Sequence, residues 1–411
     1  MLPAPLSAKL FEARAGFTFL ALLGLSLAAG CQHSPDVAAT ESRAGQASAF
    51  LANLPEKARE ERAFMQQPEA WFVARLDAPQ VVKDGQRLHP KLQYVFQERR
   101  KERARSDRDY NAWLLDVWST AEGRASLRQA VDINWVTSAY DAGPVAQTQD
   151  LMIPGADGKI RVRVYWPEQP QGDLEPALLY FHGGGFLFAS IEAVEPQAMI
   201  LATMGDVIVV SVDYSLAPEH PFPAAQKDAI AAYEWLQDNA ADLGIDPERI
   251  GVGGDSAGGN LAVIVSAEMA RRGETPPKAQ LLYYPFLDMD FAAYASFDTF
   301  GNGFGLDKAF IRIATDAFLT DPEEKQHPWL NLLDTVDFAQ QPPTVIATAG
   351  FDPIRDQGFA LARALEQAGV KVIHKHYPSL NHGFLEASAV IDDARQACFE
   401  TARLIGKLLH Q

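Results

Sequence analysis

The stretch RIGVGGDSAGGN, residues 249–260, decides how the rest of this chain is interpreted. It begins as an apolar, strand-like run and then places glycines on both sides of Ser256. A glycine inside a strand or helix costs roughly 0.5–1 kcal/mol relative to alanine. Because the sequence accepts this cost repeatedly in so short a stretch, the backbone is expected to turn sharply at Ser256.

A helical pattern, GNLAVIVSAEMARRG at 259–273, comes directly after this turn, so Ser256 stands at a strand-to-helix junction. Residues 254–258 match Gly-x-Ser-x-Gly, which at such a junction presents a nucleophilic serine hydroxyl. A phosphate-binding loop is the alternative for a glycine-rich turn. The stretch lacks both the Gly-Lys-Ser/Thr and the Gly-x-Gly-x-x-Gly spacing of such loops. Ser256 is therefore predicted to be a nucleophile.

Two later segments supply a base and an acid to activate that serine. A serine hydroxyl needs a base that takes its proton and an acid that orients the base. In a strand–turn–helix arrangement the two are expected after the serine, acid first, each following a late strand. Asp352 stands in TVIATAGFDPIRD at 344–356, and His382 stands in VKVIHKHYPSLNHGF at 370–384. Asp352 and His382 are the predicted acid and base.

Other acids and histidines are expected to be structural. Asp356 falls inside the helix that follows Asp352, where a carboxylate suits the first turn. His374 and His376 lie two residues apart in an apparent strand and so face one side of a sheet. His327 lies in a Pro-flanked loop ahead of the late strands.

A second glycine cluster, YFHGGGF at 180–186, is predicted to stabilise developing negative charge. The transition state of acyl transfer places charge on the former carbonyl oxygen, and donors must already point at it. One N–H is expected from Ala257, the residue after the nucleophile, and the others from this loop. His182 is expected to hold the loop in place and not to transfer protons.

The remaining pattern predicts an α/β fold. Short apolar or β-branched runs at 160–167, 177–181, 206–214, 249–254, 279–285, 344–350 and 370–378 alternate with helical patterns such as PAAQKDAIAAYEWLQDNAADL at 223–243. Such alternation predicts a mostly parallel central sheet with helices on both faces. Ligands then belong at the carboxyl ends of the strands.

Five motifs in order carry a resemblance to a known family. HGGGF, VDYSLAPEHPFPAA, GGDSAGGNLA, DPIRDQG and NHGF resemble, in order and approximate spacing, the hormone-sensitive-lipase-like branch of bacterial carboxylesterases, with the α/β-hydrolase fold, over roughly 150–411. The resemblance implies Ser256, His382 and Asp352 as a catalytic triad, Gly184, Gly185 and Ala257 as the oxyanion hole, and no metal or cofactor. One departure is Ser215, where the family usually has arginine, which puts a local salt bridge in doubt.

The same resemblance implies a helical cap over the active site. Residues 141–411 would form the catalytic domain, with a cap insertion at about 287–330 that includes FAAYASFDTFGNGFGLDKAFIRIATDAFL. Its aromatic residues are expected to form the cap's own core and in part to line an acyl pocket. Residues 32–140 read as helical and as part of the cap, but they exceed the family's usual N-terminal segment.

The first residues resemble an export signal. Lys9 and Arg14 precede AGFTFLALLGLSLAAGC at 15–31, as in a secretory signal peptide. LAAGC resembles a bacterial lipobox, with Ala28 where leucine is commonest, so Cys31 is the predicted lipidation site and residues 1–31 the removed signal. A plain signal peptide and an uncut anchor helix are the alternatives. Gln32 after the cysteine resembles sorting to the outer membrane, so the protein is predicted to be an exported cell-envelope lipoprotein.

Together these observations predict a serine carboxylesterase that hydrolyses short- to medium-chain esters through an acyl-enzyme. An acetyl-hydrolase or amidase acting on an envelope polysaccharide or a drug is the alternative within the fold, and a non-catalytic ligand-binding homologue is the alternative outside enzymes. The net charge of −17 argues against a nucleic-acid partner. The expected partner is a small ester, with membrane contact only through a lipid on Cys31 and a homodimer left open.

Overall fold

The computed structural model describes residues 43–44, 54–106, 109–168 and 172–411. Its strands, in chain order, are β1 (Arg43–Ala44), β2 (Val82–Lys83), β3 (Gln86–Arg87), β4 (Gln147–Gly155), β5 (Gly158–Trp166), β6 (Glu175–Phe181), β7 (Ile208–Asp213), β8 (Ile245–Asp255), β9 (Gln280–Tyr283), β10 (Thr344–Phe351) and β11 (Val372–Asn381). Within the described ranges, β2 and β3 form a hairpin, and the others form one sheet in the order β1-β4-β5-β7-β6-β8-β9-β10-β11.

The sheet is parallel from β7 through β6, β8, β9 and β10 to β11. At the other side, β4 pairs antiparallel with both β1 and β5, and β5 pairs antiparallel with β7. The predicted mostly parallel sheet is confirmed. Since parallel strands end at the same edge, the carboxyl ends of β6, β8, β10 and β11 lie together there.

Helices cover both faces of this sheet. The α-helices of the described residues are Glu56–Met65, Glu69–Val73, Pro90–Arg105, Tyr110–Trp118, Ala121–Thr137, Ile191–Gly205, Ala224–Asn239, Ala257–Arg272, Ala295–Phe300, Lys308–Phe318, Leu332–Thr335, Arg355–Gln367 and Asp392–Leu409. Every residue of β6 is buried. Leu179 and Phe181 belong to one hydrophobic core and Leu178 and Tyr180 to the other, because successive side chains of a strand point to opposite faces. This explains why the run ALLYF is apolar throughout.

The N-terminal region contains more than the predicted helices. Residues 110–137 form two helices and not one, because Thr120 caps the second helix by accepting a hydrogen bond from the Gly123 N–H at 3.0 Å. The hairpin β2–β3 turns at Asp84 and Gly85, both of which have positive φ. Asp-Gly between two short strands is a common hairpin signal, but two-residue strands give no periodicity.

Residues 86–91 of the N-terminal region contact residues 376–390 at and after the edge strand β11. The His89 N–H donates to the Ser379 carbonyl at 2.9 Å, and the Lys91 ammonium donates to the Val390 carbonyl at 2.6 Å. The side chain of Gln86 contacts His376 at 2.8 Å. Residues from the N-terminal region thus pack directly against the last strand of the sheet.

The aromatic insertion lies in the connection between β9 and β10, which runs from 284 to 343. It carries the helices Ala295–Phe300 and Lys308–Phe318. Cys31 and the predicted signal segment lie outside the described residues. In the described ranges, no helix combines the length and the apolar character that a membrane crossing requires.

Candidate active site

The backbone at Ser256 has φ 54° and ψ −114°, between the end of β8 and the helix Ala257–Arg272. The glycines around it are explained by close approach of the main chain. A Cβ on Gly258 would lie 1.9 Å from the Phe181 carbonyl oxygen, and a Cβ on Gly254 would lie 2.4 Å from the Gly258 carbonyl. A side chain at either position would therefore push the turn away from β6, and the strain at Ser256 marks a candidate functional residue.

Ser256, His382 and Asp352 form a hydrogen-bonded chain. The Ser256 Oγ lies 2.9 Å from His382 Nε2, and His382 Nδ1 lies 2.9 Å from Asp352 Oδ2. Asp352 follows β10 and is fully buried, and its Oδ1 accepts a hydrogen bond from the Ile354 N–H at 2.9 Å. This geometry requires an Nδ1–H donor toward Asp352, which leaves Nε2 free to accept the serine proton.

The competing acid has other partners. Asp356 Oδ2 accepts a hydrogen bond from the Ser296 N–H at 2.9 Å, and Asp356 Oδ1 accepts one from Arg355 Nε at 2.9 Å. The bond with Ser296 fastens the helix Arg355–Gln367 to the aromatic insertion. The structure therefore places Asp352, and not Asp356, beside the His382 imidazole.

The competing histidines also have structural contacts. His374 and His376 both approach Thr348 Oγ1 at 2.9 Å from the same side of β11, and burial lowers the pKa of His376 to about 4. His327 Nδ1 accepts a hydrogen bond from the Trp329 N–H, and burial lowers its pKa. His182 is buried and stacked on Tyr214 at 4.3 Å between ring centroids, and burial lowers its pKa.

The glycine loop lies beside Ser256, and two of its backbone N–H groups have no acceptor among the described residues. Gly184 and Gly185 have φ of 99° and 64°, a region that side chains rarely adopt. Among the described residues, no acceptor lies within hydrogen-bond distance of their N–H groups or of the Ala257 N–H. Gly184, Gly185 and Ala257 all line the same cavity as Ser256. Their N–H groups are therefore available to an oxyanion at Ser256.

Three residues that the sequence analysis did not single out hold this loop. Asp255 Oδ1 accepts hydrogen bonds from the Tyr180 hydroxyl at 2.9 Å and from the Gly183 N–H at 3.0 Å. Burial raises the pKa of Asp255 to about 6. The Tyr214 hydroxyl donates to the His182 carbonyl at 2.7 Å. The glycine loop is thus fastened to the nucleophile's own turn.

Arg128, from the helix Ala121–Thr137, fastens the loop from the N-terminal side. Its Nε donates to the Leu187 carbonyl at 2.9 Å, and its Nη2 donates to the Ala217 carbonyl at 2.8 Å and to Glu219 Oε2 at 2.7 Å. At Ser215, where the family usually has arginine, the backbone N–H donates to Asp228 Oδ2 at 2.9 Å. The N-terminal region therefore supports the site directly as well as covering it.

A cavity of about 390 Å³ opens at Ser256. Its walls come from the N-terminal helices, the glycine loop and the aromatic insertion, and they are mainly aromatic and aliphatic; they include Leu92, Phe96, Trp135, Phe188, Phe291 and Phe310. Phe300 of the insertion instead packs on Phe351 at 5.4 Å. Aromatic residues of the insertion thus line the cavity and also pack against the central sheet. A cavity of this size suits a small ester.

Comparison with known proteins gives the same family. A family model described as the alpha/beta hydrolase fold matches residues 178–386. The carboxylic ester hydrolase LipN of Mycobacterium tuberculosis is 41% identical over 243 residues, which cover 57% of this chain and 64%, less than two thirds, of LipN. The carboxylesterase NlhH of the same organism is 38% identical over 262 residues, which cover 62% of this chain and 81% of NlhH.

A solved structure agrees with these relatives. The ester hydrolase EH1AB1 from the metagenome of Lake Arreo, solved with a derivative of bipyridine phosphonate, has a TM-score of 0.72 and 34% identity. The match covers 79% of this chain and all of that chain. The similarity therefore extends over 79% of this chain.

Proposed function

This chain belongs to the α/β-hydrolase fold family, as an ester hydrolase of its hormone-sensitive-lipase-like branch, and on this basis we propose that Ser256 attacks the carbonyl carbon of short- to medium-chain carboxylic esters. The observation that carries the proposal is the continuous chain of 2.9 Å hydrogen bonds from Ser256 through His382 to Asp352.

In the first step the Ser256 Oγ bonds to the ester carbonyl carbon while His382 Nε2 takes its proton. Asp352 stabilises the resulting imidazolium through Nδ1. The carbonyl oxygen becomes negatively charged and accepts hydrogen bonds from the N–H groups of Gly184, Gly185 and Ala257. Backbone donors of this kind stabilise the developing charge without first having to reorient.

In the second step the tetrahedral intermediate collapses, and the bond from carbon to the alcohol oxygen breaks. His382 returns its proton to that oxygen, so a neutral alcohol leaves and the acyl group stays on Ser256. A water molecule, deprotonated by the same imidazole, then attacks the acyl-enzyme and releases the carboxylic acid. Over the two steps His382 returns every proton that it takes, and the net reaction converts an ester and water into an alcohol and a carboxylic acid.

The experiment that tests this proposal is covalent labelling with a fluorophosphonate. The reagent should modify Ser256 and abolish hydrolysis of p-nitrophenyl butyrate, and Ser256→Ala should lower turnover by about 10⁴- to 10⁶-fold. Ser266→Ala is a matched control, because Ser266 lies in the helix that follows Ser256, its hydroxyl donates to the Ala262 carbonyl, and it does not line the cavity. Labelling of another serine, or full activity of Ser256→Ala, would contradict the assignment.

A further inference from the structure

Glu386 places a carboxyl group in the catalytic cavity that the proposed mechanism does not use. It lies in the short turn Phe384–Ala387, directly after the catalytic histidine. A methyl group built on Gly383 would lie 3.0 Å from Glu386 Oε2 and 3.1 Å from Oε1, so the carboxyl group covers Gly383. Gly383, Glu386 and Ser256 line the same cavity.

This carboxyl group has no hydrogen-bond partner on the protein. Among the described residues, no donor lies within hydrogen-bond distance of either Glu386 oxygen. Burial and the neighbouring Asp255 raise the pKa of Glu386 well above its ordinary value, although Arg99 acts in the opposite direction. Burial thus favours the protonated form of Glu386, which offers both a hydroxyl donor and a carbonyl acceptor.

Glu386 is half-buried and lines the cavity beside both apolar and charged residues. Met65, Leu92, Val95 and Ile391 are apolar, whereas Arg99 and Asp255 are charged. A polar group at a cavity wall without a protein partner is a natural partner for a polar group of a ligand.

The reaction chemistry indicates which part of an ester would reach Glu386. His382 must give its proton to the leaving alcohol oxygen, so the alcohol part lies on the imidazole side of Ser256. The N–H groups of Gly184 and Gly185 instead hold the carbonyl oxygen. Because Glu386 follows His382 by a single turn, the alcohol part is the part that passes it.

We propose that Glu386 is a specificity-determining residue that hydrogen-bonds a hydroxyl group in the alcohol part of the substrate. The inference rests on the proposed function and names the substrate class more closely: esters of diols or other hydroxylated alcohols. A neutral hydroxyl fits better than a charged group, since Arg99 would repel a cation and Asp255 would repel an anion.

The test compares two esters that differ only in that hydroxyl. 2-Hydroxyethyl butyrate and propyl butyrate have the same number of heavy atoms, and the ratio of their kcat/KM values isolates recognition of the hydroxyl. Glu386→Leu should lower this ratio, hydroxyl over alkyl, by about fivefold, the scale of one net hydrogen bond. Glu386→Gln should keep the ratio within about twofold of the wild type, because an amide also offers a donor and an acceptor.

Glu274→Leu is the control, because Glu274 is an exposed carboxylate in the loop after the helix Ala257–Arg272. It should leave the ratio unchanged. If Glu386→Leu fails to fold, Glu386→Met provides an unbranched apolar side chain of similar length. An unchanged ratio in a folded Glu386→Leu variant, or an equal loss for both esters, would overturn the inference but leave Ser256 as the nucleophile. Activity of Ser256→Ala would instead overturn the proposed function.

Discussion

At the scale of single residues, two aspartates four positions apart have different surroundings. Asp352 contacts the imidazole of His382, whereas Asp356 holds Ser296 and Arg355. Asp352→Asn should therefore lower turnover by about 10⁴-fold with the fold preserved, because an amide favours the wrong imidazole tautomer. Asp356→Asn should cost far less activity. Steady-state kinetics with a thermal melt for each variant checks this, and the reverse ranking at equal stability would reassign the acid.

The residues that the sequence identified share one property: each stands in a motif whose chemistry constrains its neighbours. Ser256 lies among glycines that the turn requires, and His382 and Asp352 each follow a strand. Arg128 and Glu386 are different, because their importance depends on contacts with residues distant in sequence or on the shape of a cavity. Arg128 reaches the Leu187 carbonyl 59 residues away, and no local pattern encodes that bond.

At the scale of elements, the helices Ile191–Gly205 and Asp392–Leu409 touch through their backbones. A Cβ on Gly406 would lie 2.0 Å from the Gly205 carbonyl oxygen, so the two helices cannot approach this closely with a side chain there. Gly406→Ala should lower the free energy of unfolding by roughly 1–3 kcal/mol, the usual cost of overpacking. Denaturant unfolding measures this. Lys407→Ala, an exposed neighbour in the same helix, should change stability little, and equal effects would contradict the packing argument.

The helix Ala121–Thr137 contacts Ser190 through the carboxyl group of Asp132, and the pKa of this group is raised. Asp132 Oδ2 accepts a hydrogen bond from the Ser190 hydroxyl at 2.8 Å. Burial raises the pKa of Asp132 to about 7, the carboxylates of Glu192 and Asp213 add to the rise, and Ser190 and Arg161 oppose it. Between about pH 4 and pH 7 the folded protein keeps a proton that the unfolded chain has lost. This contribution to stability therefore falls as pH rises through that window.

Asp132→Asn should remove that pH dependence, because the amide stays neutral and still accepts the Ser190 hydrogen bond. Relative to the wild type, the variant should gain more than about 1 kcal/mol in free energy of unfolding at pH 8, and the gain should vanish near pH 4. Urea unfolding at both pH values provides the measurement. The exposed Asp242→Asn serves as the control. A constant difference between variant and wild type across pH would refute this account.

The elements also show where sequence patterns are informative. The runs that became β5 to β11 were predicted, because a buried strand must be apolar or alternate for several residues. β1 and the hairpin β2–β3 were missed, since two-residue strands carry no periodicity. β4 was also missed, because its sequence QTQDLMIPG is polar at the start and contains Pro154, which disfavours a strand assignment. Only the Asp84–Gly85 pair signalled the hairpin turn. The break between the helices Tyr110–Trp118 and Ala121–Thr137 depends on the Thr120 cap and not on a change in hydrophobic spacing.

At the scale of the whole molecule, a capped cavity of about 390 Å³ limits substrate length. Each methylene that fits gains about 0.8 kcal/mol, and then clashes of roughly 1–3 kcal/mol take over. The kcat/KM for p-nitrophenyl esters should rise and then fall with acyl length, with a peak at short to medium chains. Long-chain triglyceride emulsions should be poor substrates. A steady climb to long chains, with activation by an oil interface, would show that the cap does not close the cavity.

A separate prediction concerns where in the cell the protein is found. If Cys31 carries lipid, the protein should fractionate with membranes, because a diacyl group and an N-acyl chain anchor stably. Cys31→Ser should release the enzyme or block its processing, with esterase activity retained. Mass spectrometry of the mature N-terminus decides the question. An unmodified terminus elsewhere would refute lipidation and leave the catalytic assignment intact.

The contacts of His89 with Ser379 and of Lys91 with Val390 bear on how the enzyme is made. A ribosome adds about 5–20 residues per second, and Lys91 and Val390 are 299 residues apart, so roughly 15–60 s separate their synthesis. During that interval the apolar residues of the early helices cannot yet pack against the C-terminal part of the chain. His382, the proposed general base, has also not been synthesised for most of that time. The early helices of the unfinished polypeptide thus expose apolar surface that the finished fold buries, and such surface makes an incomplete chain prone to aggregate.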